Sequence, residues 1–224
     1  YGYVADGIFQ NWDEVYAHTN ENGKLVQSNA QPGDIRFKDL NHDGVLDEND
    51  KTWIGNPYPD LMVGLNLGFS YKNIDFTANF YGTFGNDIFN KTKGLYSGVS
   101  GQNVWAGTLQ KAWDGEGTSN DIPRLSYNDL NQNYTRVSSF FVEDGSYMRC
   151  KLLQVGYTLP KKWLNGTELR LSLSAQNPFT ITSYSGMDPE RPQIGKDGSV
   201  IETGIDGIAY PNPRTFLFGI DLKF

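Results

Sequence analysis

The chain has 224 residues and a formal net charge of −7. Nothing in it forms a basic stripe, which excludes a protein built to bind nucleic-acid phosphates. Mean hydropathy is −0.51, and no apolar run is long enough to cross a bilayer as a helix. That average leaves membrane β-strands open, because only every second residue of such a strand meets lipid and the long loops are polar.

The chain carries 25 glycines and 14% aromatic residues, which suits an all-β protein rich in turns. Cys150 is its single cysteine, so an intrachain disulfide framework is excluded. No signal peptide is read at Tyr1, a pattern that suits a mature or truncated chain as well as a cytoplasmic one.

In chain order, residues 1–60 read mostly as loop. A short strand is expected within Tyr1 to Phe9, and Gln10 to Ala30 is polar. After the Pro32-Gly33 turn comes the sharpest local motif, Asp39 to Asp50. Asp39, Asn41, Asp43, Asp47 and Asp50 stand at positions 1, 3, 5, 9 and 12, Gly44 at position 6 permits the sharp turn, and Val45 at position 7 offers its carbonyl. A hard cation, structural Ca2+, takes such a ligand set. Asp at position 12 in place of Glu departs from the EF-hand pattern, and the alternative is a solvated acidic loop held by Asx turns.

Leu61 to Tyr71 is a clear strand: Val63, Leu65, Leu67, Phe69 and Tyr71 alternate with Gly64, Asn66, Gly68 and Ser70. After Lys72-Asn73 the alternation resumes over residues 74–84, which predicts a hairpin with strands long enough for a tilted membrane crossing. Residues 85–144 are irregular and polar. Within them Trp105, Leu109 and Trp113 recur every four residues and predict a short helix over Val104 to Trp113. Those tryptophans either bind sugars or peptides by stacking or pack the loop onto its neighbours.

Tyr147 to Leu159 is the next strand, with a phase slip near Leu152-Leu153 that predicts a β-bulge. Cys150, in this strand, reads as a packed thiol. Strands at 167–176 and 214–224 follow, separated by the loop Asn177 to Pro213 with Tyr184, Asp188, Glu190 and Arg191. The last strand sets Phe216, Phe218, Ile220, Leu222 and Phe224 against Thr215, Gly219, Asp221 and Lys223, with Leu217 the exception. Such alternation also occurs in any half-buried antiparallel strand. The connections, however, run long, short, long, short, long. Every long loop then lies on one side of the sheet and both short turns on the other, the asymmetry of outer-membrane barrels.

Several stretches together resemble the carboxy-terminal part of SusC/RagA-type TonB-dependent outer-membrane transporters of the Bacteroidetes. They are Gly2 to Phe9, Pro32 to Ile35 leading into Asp39 to Asp50, Ile54 to Pro57, Gly82 to Asn90, Glu143 to Tyr147, Leu153 to Pro160, Gln176-Asn177, Tyr184 to Glu190 and the final strand. The resemblance covers nearly the whole chain in order. It implies an antiparallel transmembrane β-barrel segment, the last five or six strands, with long extracellular loops, in the bacterial outer membrane. It also implies energy-coupled import of an oligosaccharide or peptide substrate, with a SusD-like surface lipoprotein over the loops. A complete transporter of this type has a plug and roughly 22 strands. Five clear strands and one further candidate cannot close such a barrel, so the chain is expected to be a fragment, and TonB is expected to contact a segment that precedes it.

The competing reading is a secreted calcium-binding β-sandwich that recognises glycans, in which the apolar faces would form a dry core between two sheets. An enzyme is not expected: His18 and His42 lie in polar loops, and no Ser/His/Asp order or carboxylate pair stands out. The expected sites are therefore the cation loop and, for substrate, Trp105, Trp113 and Tyr184.

Overall fold

The computed structural model describes residues 1–95, 97–164, 166–190, 203–208 and 210–223. Its strands in chain order are β1 (Gly2–Tyr3), β2 (Ala5–Ile8), β3 (Ile35–Phe37), β4 (Lys51–Thr52), β5 (Leu61–Tyr71), β6 (Ile74–Phe84), β7 (Asp87–Asn90), β8 (Val142–Asp144), β9 (Tyr147–Thr158), β10 (Glu168–Gln176), β11 (Thr180–Thr182), β12 (Ile205–Asp206) and β13 (Thr215–Lys223). The α-helices are α1 (Trp12–Ala17), α2 (Thr92–Leu95) and α3 (Ala106–Lys111). Two compact units result: Tyr1–Asn56 with Ile88–Glu143 and Ile205–Ile208, and Pro57–Asp87 with Asp144–Gly204 and Ala209–Phe224.

The second unit is the sheet that the alternation predicts. Its long strands pair antiparallel in the order β13-β10-β9-β6-β5, so spatial order follows chain order. The strands expected at 61–71 and 74–84 are found at those bounds, and the other three within a residue at each end; Phe224 and Arg191 lie outside the described residues. Lys72, at φ 54°, closes the two-residue turn between β5 and β6. The bulge falls at Lys151: Asn79 pairs with Leu152 and Phe80 with Cys150, which leaves Lys151 opposite neither. One extra residue there reverses which parity of β9 faces which side. Beyond β10, Asn177 at φ 50° turns the chain, and β11 rejoins the first residues of β9, Thr180 opposite Arg149.

Residues 1–60 and 85–144, which make up most of the first unit, are largely without regular secondary structure, but short elements order them. Short β-pairs, β1 with β4 and β2 with β3, and the three-stranded β12-β7-β8 set frame it. Tyr3, Ile35 and Phe37 form one buried cluster, with Ala5, Leu46 and Phe140 packed against it, and Phe9, Val15 and Ala30 form a second.

Side-chain amides supply what regular ladders do not. Gln27 Nε2 donates to the Ile35 carbonyl and to Asn131 Oδ1, its Oε1 accepts from the Phe37 N–H at 2.7 Å, and Asn133 Oδ1 accepts from the Ile35 N–H at 2.8 Å. The backbone of β3 is thereby satisfied by Gln27, eight to ten residues back, and by Asn133, ninety-eight residues on.

The helix expected over Val104 to Trp113 is shorter. Trp105 is its N-cap, and Ala112 leaves helical geometry at ψ 151°. Trp113 therefore does not continue the helical face of Trp105 and Leu109.

Candidate functional site

The chemistry of the second unit lies in its two faces. Register aligns the apolar residues in rows across the sheet: Leu67, Ala78, Leu153, Ala175 and Phe216; Phe69, Phe76, Val155, Leu173 and Phe218; Tyr71, Ile74, Tyr157, Leu171 and Ile220. Apart from the small Ala78, which is buried, these rows are not core. Phe69, Leu173, Phe216 and Phe218 are each more than 60% exposed, and no second sheet among the described residues of this unit covers them. In a sandwich the same rows would be buried.

The opposite rows read Asn66, Asn79, Leu152, Gln176 and Thr215; Gly68, Thr77, Gln154, Ser174 and Leu217; Ser70, Asp75, Gly156, Ser172 and Gly219. Greasy side chains turned to the surroundings on one face, and mostly small, amide or charged side chains on the other, with Leu152 and Leu217 the exceptions, are the arrangement of a barrel wall between lipid and a wet interior.

Two ion clusters sit on the polar face. Arg170 of β10 donates from Nε to Asp75 Oδ1 at 3.0 Å and from Nη2 to Asp75 Oδ2 at 2.7 Å, and reaches Asp221 of β13 at 3.3 Å. Asp75 belongs to β6, two strands away, and Gly156 of the intervening β9 leaves the room. A Cβ there would stand 2.4 Å from Asp75 Oδ1 and 2.5 Å from Arg170 Nη2.

At the other end of the sheet Arg149 of β9 is buried. It donates to Asp188 through Nη2 at 2.6 Å and Nη1 at 3.3 Å, to Glu190 at 2.5 Å and to Thr180 at 2.7 Å. Lys151 also pairs with Glu190. Asn212 donates its N–H to Asp188 Oδ2 at 2.9 Å and its amide to Glu190 Oε2 at 3.2 Å. Burial works against ionising Asp188, but Arg149 and the backbone N–H groups of Asn212 and Glu190 prevail and hold its carboxyl below the usual range.

Neither cluster was among the expected sites. Their signal in the sequence is a charge inside a strand of apolar and small residues. Parity of Arg149 or Arg170 can be read only once the bulge and register are fixed.

In the first unit, the expected cation loop closes largely on itself. Asp39 Oδ2 accepts from the Gly44 N–H at 2.7 Å, Asn41 Oδ1 from Asp43, Asp43 Oδ1 from Val45, and Asp47 Oδ1 from Asn49. Asp50, fully buried, accepts from the Leu40 N–H through Oδ1 and from the Asp47 N–H through Oδ2, each at 2.8 Å, and so ties the two ends of the loop together. Gly44, at φ +79°, packs so closely on Asn20 that a Cβ would lie 2.1 Å from it.

The donor chemistry suits a hard cation in kind. Asp39 Oδ1 is buried without a hydrogen-bond partner among the described residues, as the first ligand of such a loop would be. Among the described residues, however, no three His, Cys, Asp or Glu side chains converge as a metal cluster.

Beside this loop a groove of about 650 Å³, half apolar in its lining, carries Asp6, Glu14, His18, Arg36, Asp39 and His42. Burial lowers the pKa of His18, against the raising effect of its bond to the Phe37 backbone.

The expected substrate aromatics are dispersed. Trp113 packs on Gly33, where a Cβ would lie 2.4 Å from its ring, and donates to Gln10 Oε1 at 3.2 Å, which is the packing role. Trp105 is partly exposed at the start of α3. Tyr184, in the second unit, is only 6% exposed and folds over Gly186, so it is not an open stacking platform.

This two-faced antiparallel sheet defines a portion of a transmembrane β-barrel. No family model matches the sequence. Relatives do: TonB-dependent receptor P3 of Formosa agariphila is 35% identical over 229 residues, covering 100% of this chain and 22% of its own length. TonB-dependent receptor SusC of Bacteroides thetaiotaomicron is 29% identical over 236 residues, covering 100% of this chain and 20% of its own. Among solved structures, the RagAB peptide importer in its closed-closed state aligns with a TM-score of 0.65 at 21% identity, over 100% of this chain and 22% of that one. Its open-open state gives 0.66 at 20% identity over the same shares. The chain is related along its whole length to a segment of the SusC/RagA-type TonB-dependent transporters, and it spans about a fifth of the length of these relatives.

Proposed function

We propose that the chain forms carboxy-terminal barrel wall of an outer-membrane transporter that imports oligosaccharides or peptides, energised through TonB and working with a SusD-like lipoprotein over its extracellular loops. The observation that carries this reading is the exposed apolar face opposite a polar one in the same strands. The names of the relatives support it: they are TonB-dependent receptors, SusC among them, and the aligned structures are of a peptide importer. In this role the polar face lines the interior, the long loops stand outside the cell, and binding is non-covalent, with no bond made or broken by the chain.

The test is spin labelling of the intact transporter in bilayers. Labels at Phe69, Leu173 and Phe218 should relax with lipid-dissolved oxygen, and labels at Asn66, Thr77 and Ser174 with a water-soluble nickel chelate. Equal access of the chelate to both faces would overturn the reading.

For the loop Asp39 to Asp50 we propose a structural Ca2+ held by Asp39, Asn41, Asp43, Asp47, Asp50 and the Val45 carbonyl, supported by the unpartnered Asp39 Oδ1. Terbium luminescence, displaced by Ca2+ and lost in Asp39→Asn, is the expected result. Unchanged luminescence in that variant would leave the loop a self-closed turn.

A further inference from the structure

Both short connections of the sheet lie at one of its ends. The Lys72-Asn73 turn and the residues that follow β9 are brought side by side by the pairing of Ile74 with Tyr157 and by the Thr158 N–H on the Asn73 carbonyl at 2.8 Å. The apolar face changes character there. Its middle rows are Phe, Leu, Val and Ala, whereas its last full row carries Tyr71 and Tyr157, and Trp163, just beyond, is 64% exposed. Amphipathic rings at the edge of an apolar band are suited to a membrane boundary, apolar body inward and polar tip to water.

Cations gather on the same rim although the chain as a whole is acidic. Lys72 Nζ sits 5.1 Å from the ring centroid of Tyr71, so this charge rides over a ring of the apolar face. Lys161, largely exposed, pairs at 3.2 Å with Glu168, which lies on the polar face of β10 with Arg170, and so does not belong to the apolar side. Lys162 is exposed and has no carboxylate partner among the described residues. The other carboxylates near this end, Asp75 and Asp221, are both on Arg170 at the polar face. Lys72, over the ring of Tyr71, and Lys162 therefore leave positive charge at this rim next to interfacial aromatics.

We propose that this rim, Lys72 and Lys162 with Tyr71, Tyr157 and Trp163, binds the phosphodiester headgroups of anionic phospholipids in the leaflet that borders the short turns. Lysines at a bilayer surface attract anionic lipid, and here they are held by short connections rather than by long loops. The inference rests on the barrel-wall reading above.

The experiment is native mass spectrometry of the intact transporter released from bilayers of mixed phosphatidylcholine and phosphatidylglycerol. The wild type should retain phosphatidylglycerol several-fold over its share of the bilayer. The double variant K72Q/K162Q should fall to near parity, and the double arginine variant should keep the preference. Both positions are exposed, so heat-modifiable migration should show the variants folded. An unchanged preference in the glutamine variant, or none in the wild type, would overturn the lipid site while leaving the barrel intact. Failure of the wild type to enter bilayers at all would overturn both readings.

Discussion

Arg170 and Asp75 are joined by two hydrogen bonds although a whole strand separates them, and Gly156 of that strand is what lets them meet. The pair ties β6 to β10 over β9 on the polar face and draws in Asp221 of β13. The strands of half the sheet are thus coupled by side chains as well as by the ladder.

Gly156→Ala should displace this pair rather than the backbone, since the atoms its Cβ would meet are the tips of two side chains. Both partners are near 30% exposed, so the expected loss is on the order of 1 kcal/mol. In an Asp75→Asn background the same substitution should cost less, and denaturation of the four proteins of that cycle measures the coupling. Gly68→Ala, with nothing within 4 Å of its Cβ, serves as the neutral control.

Arg149→Met should be far more damaging, because it leaves the buried Asp188 carboxylate without its cation, while Glu190 keeps Lys151. Removing one partner of a buried ionic cluster costs roughly 3–5 kcal/mol. Amide exchange at residues 184–190 and 210–212 should accelerate while that of β5 stays slow. Because the Asp188 carboxyl is held below its ordinary value, its contribution is present above about pH 4. It is lost only as pH falls through the lowered folded value. Exchange at these residues should therefore be flat from pH 7 to 5, after correction for the intrinsic rate.

Asn133→Ala should open the first unit at β3. It removes the acceptor of the Ile35 N–H and two partners of the amide network, Asp34 and Asn131. The cost of a buried donor left unpaired is roughly 1–3 kcal/mol. The Ile35 amide, read by exchange, should lose protection before that of Tyr71.

His18 sets a pH dependence of opposite origin. Burial favours its neutral form, so its folded pKa lies below the ordinary 6.5 and the folded state resists protonation. Stability is complete above about pH 6.5 and declines as pH falls from there through the folded value. Asp6, Asp39 and Arg36 are the charged groups that act on it. In His18→Gln, melting temperature between pH 7 and 5 should be flatter than in the wild type.

The sequence alone determined the sheet. A period of two in Leu61 to Tyr71, in 74–84, in 167–176 and in the last strand is local information, since alternate side chains fall on opposite faces whatever the partner strand is. Loop lengths then ordered the strands, and the slip at Leu152-Leu153 marked the bulge within two residues of Lys151. The loop Asp39 to Asp50 was legible as a turn for the same local reason, its Asx bonds spanning two to five residues.

Only the tertiary structure decided what each charge meets. Arg149 finds Asp188 and Glu190 about forty residues on, and Arg170 finds Asp75 ninety-five residues back. No periodicity encodes such pairs. The same holds for the first unit, where Gln27, Asn131 and Asn133 stand in for a missing strand against β3. Amide side chains in a polar segment look like loop until the long-range fold places their donors and acceptors against a backbone that requires them.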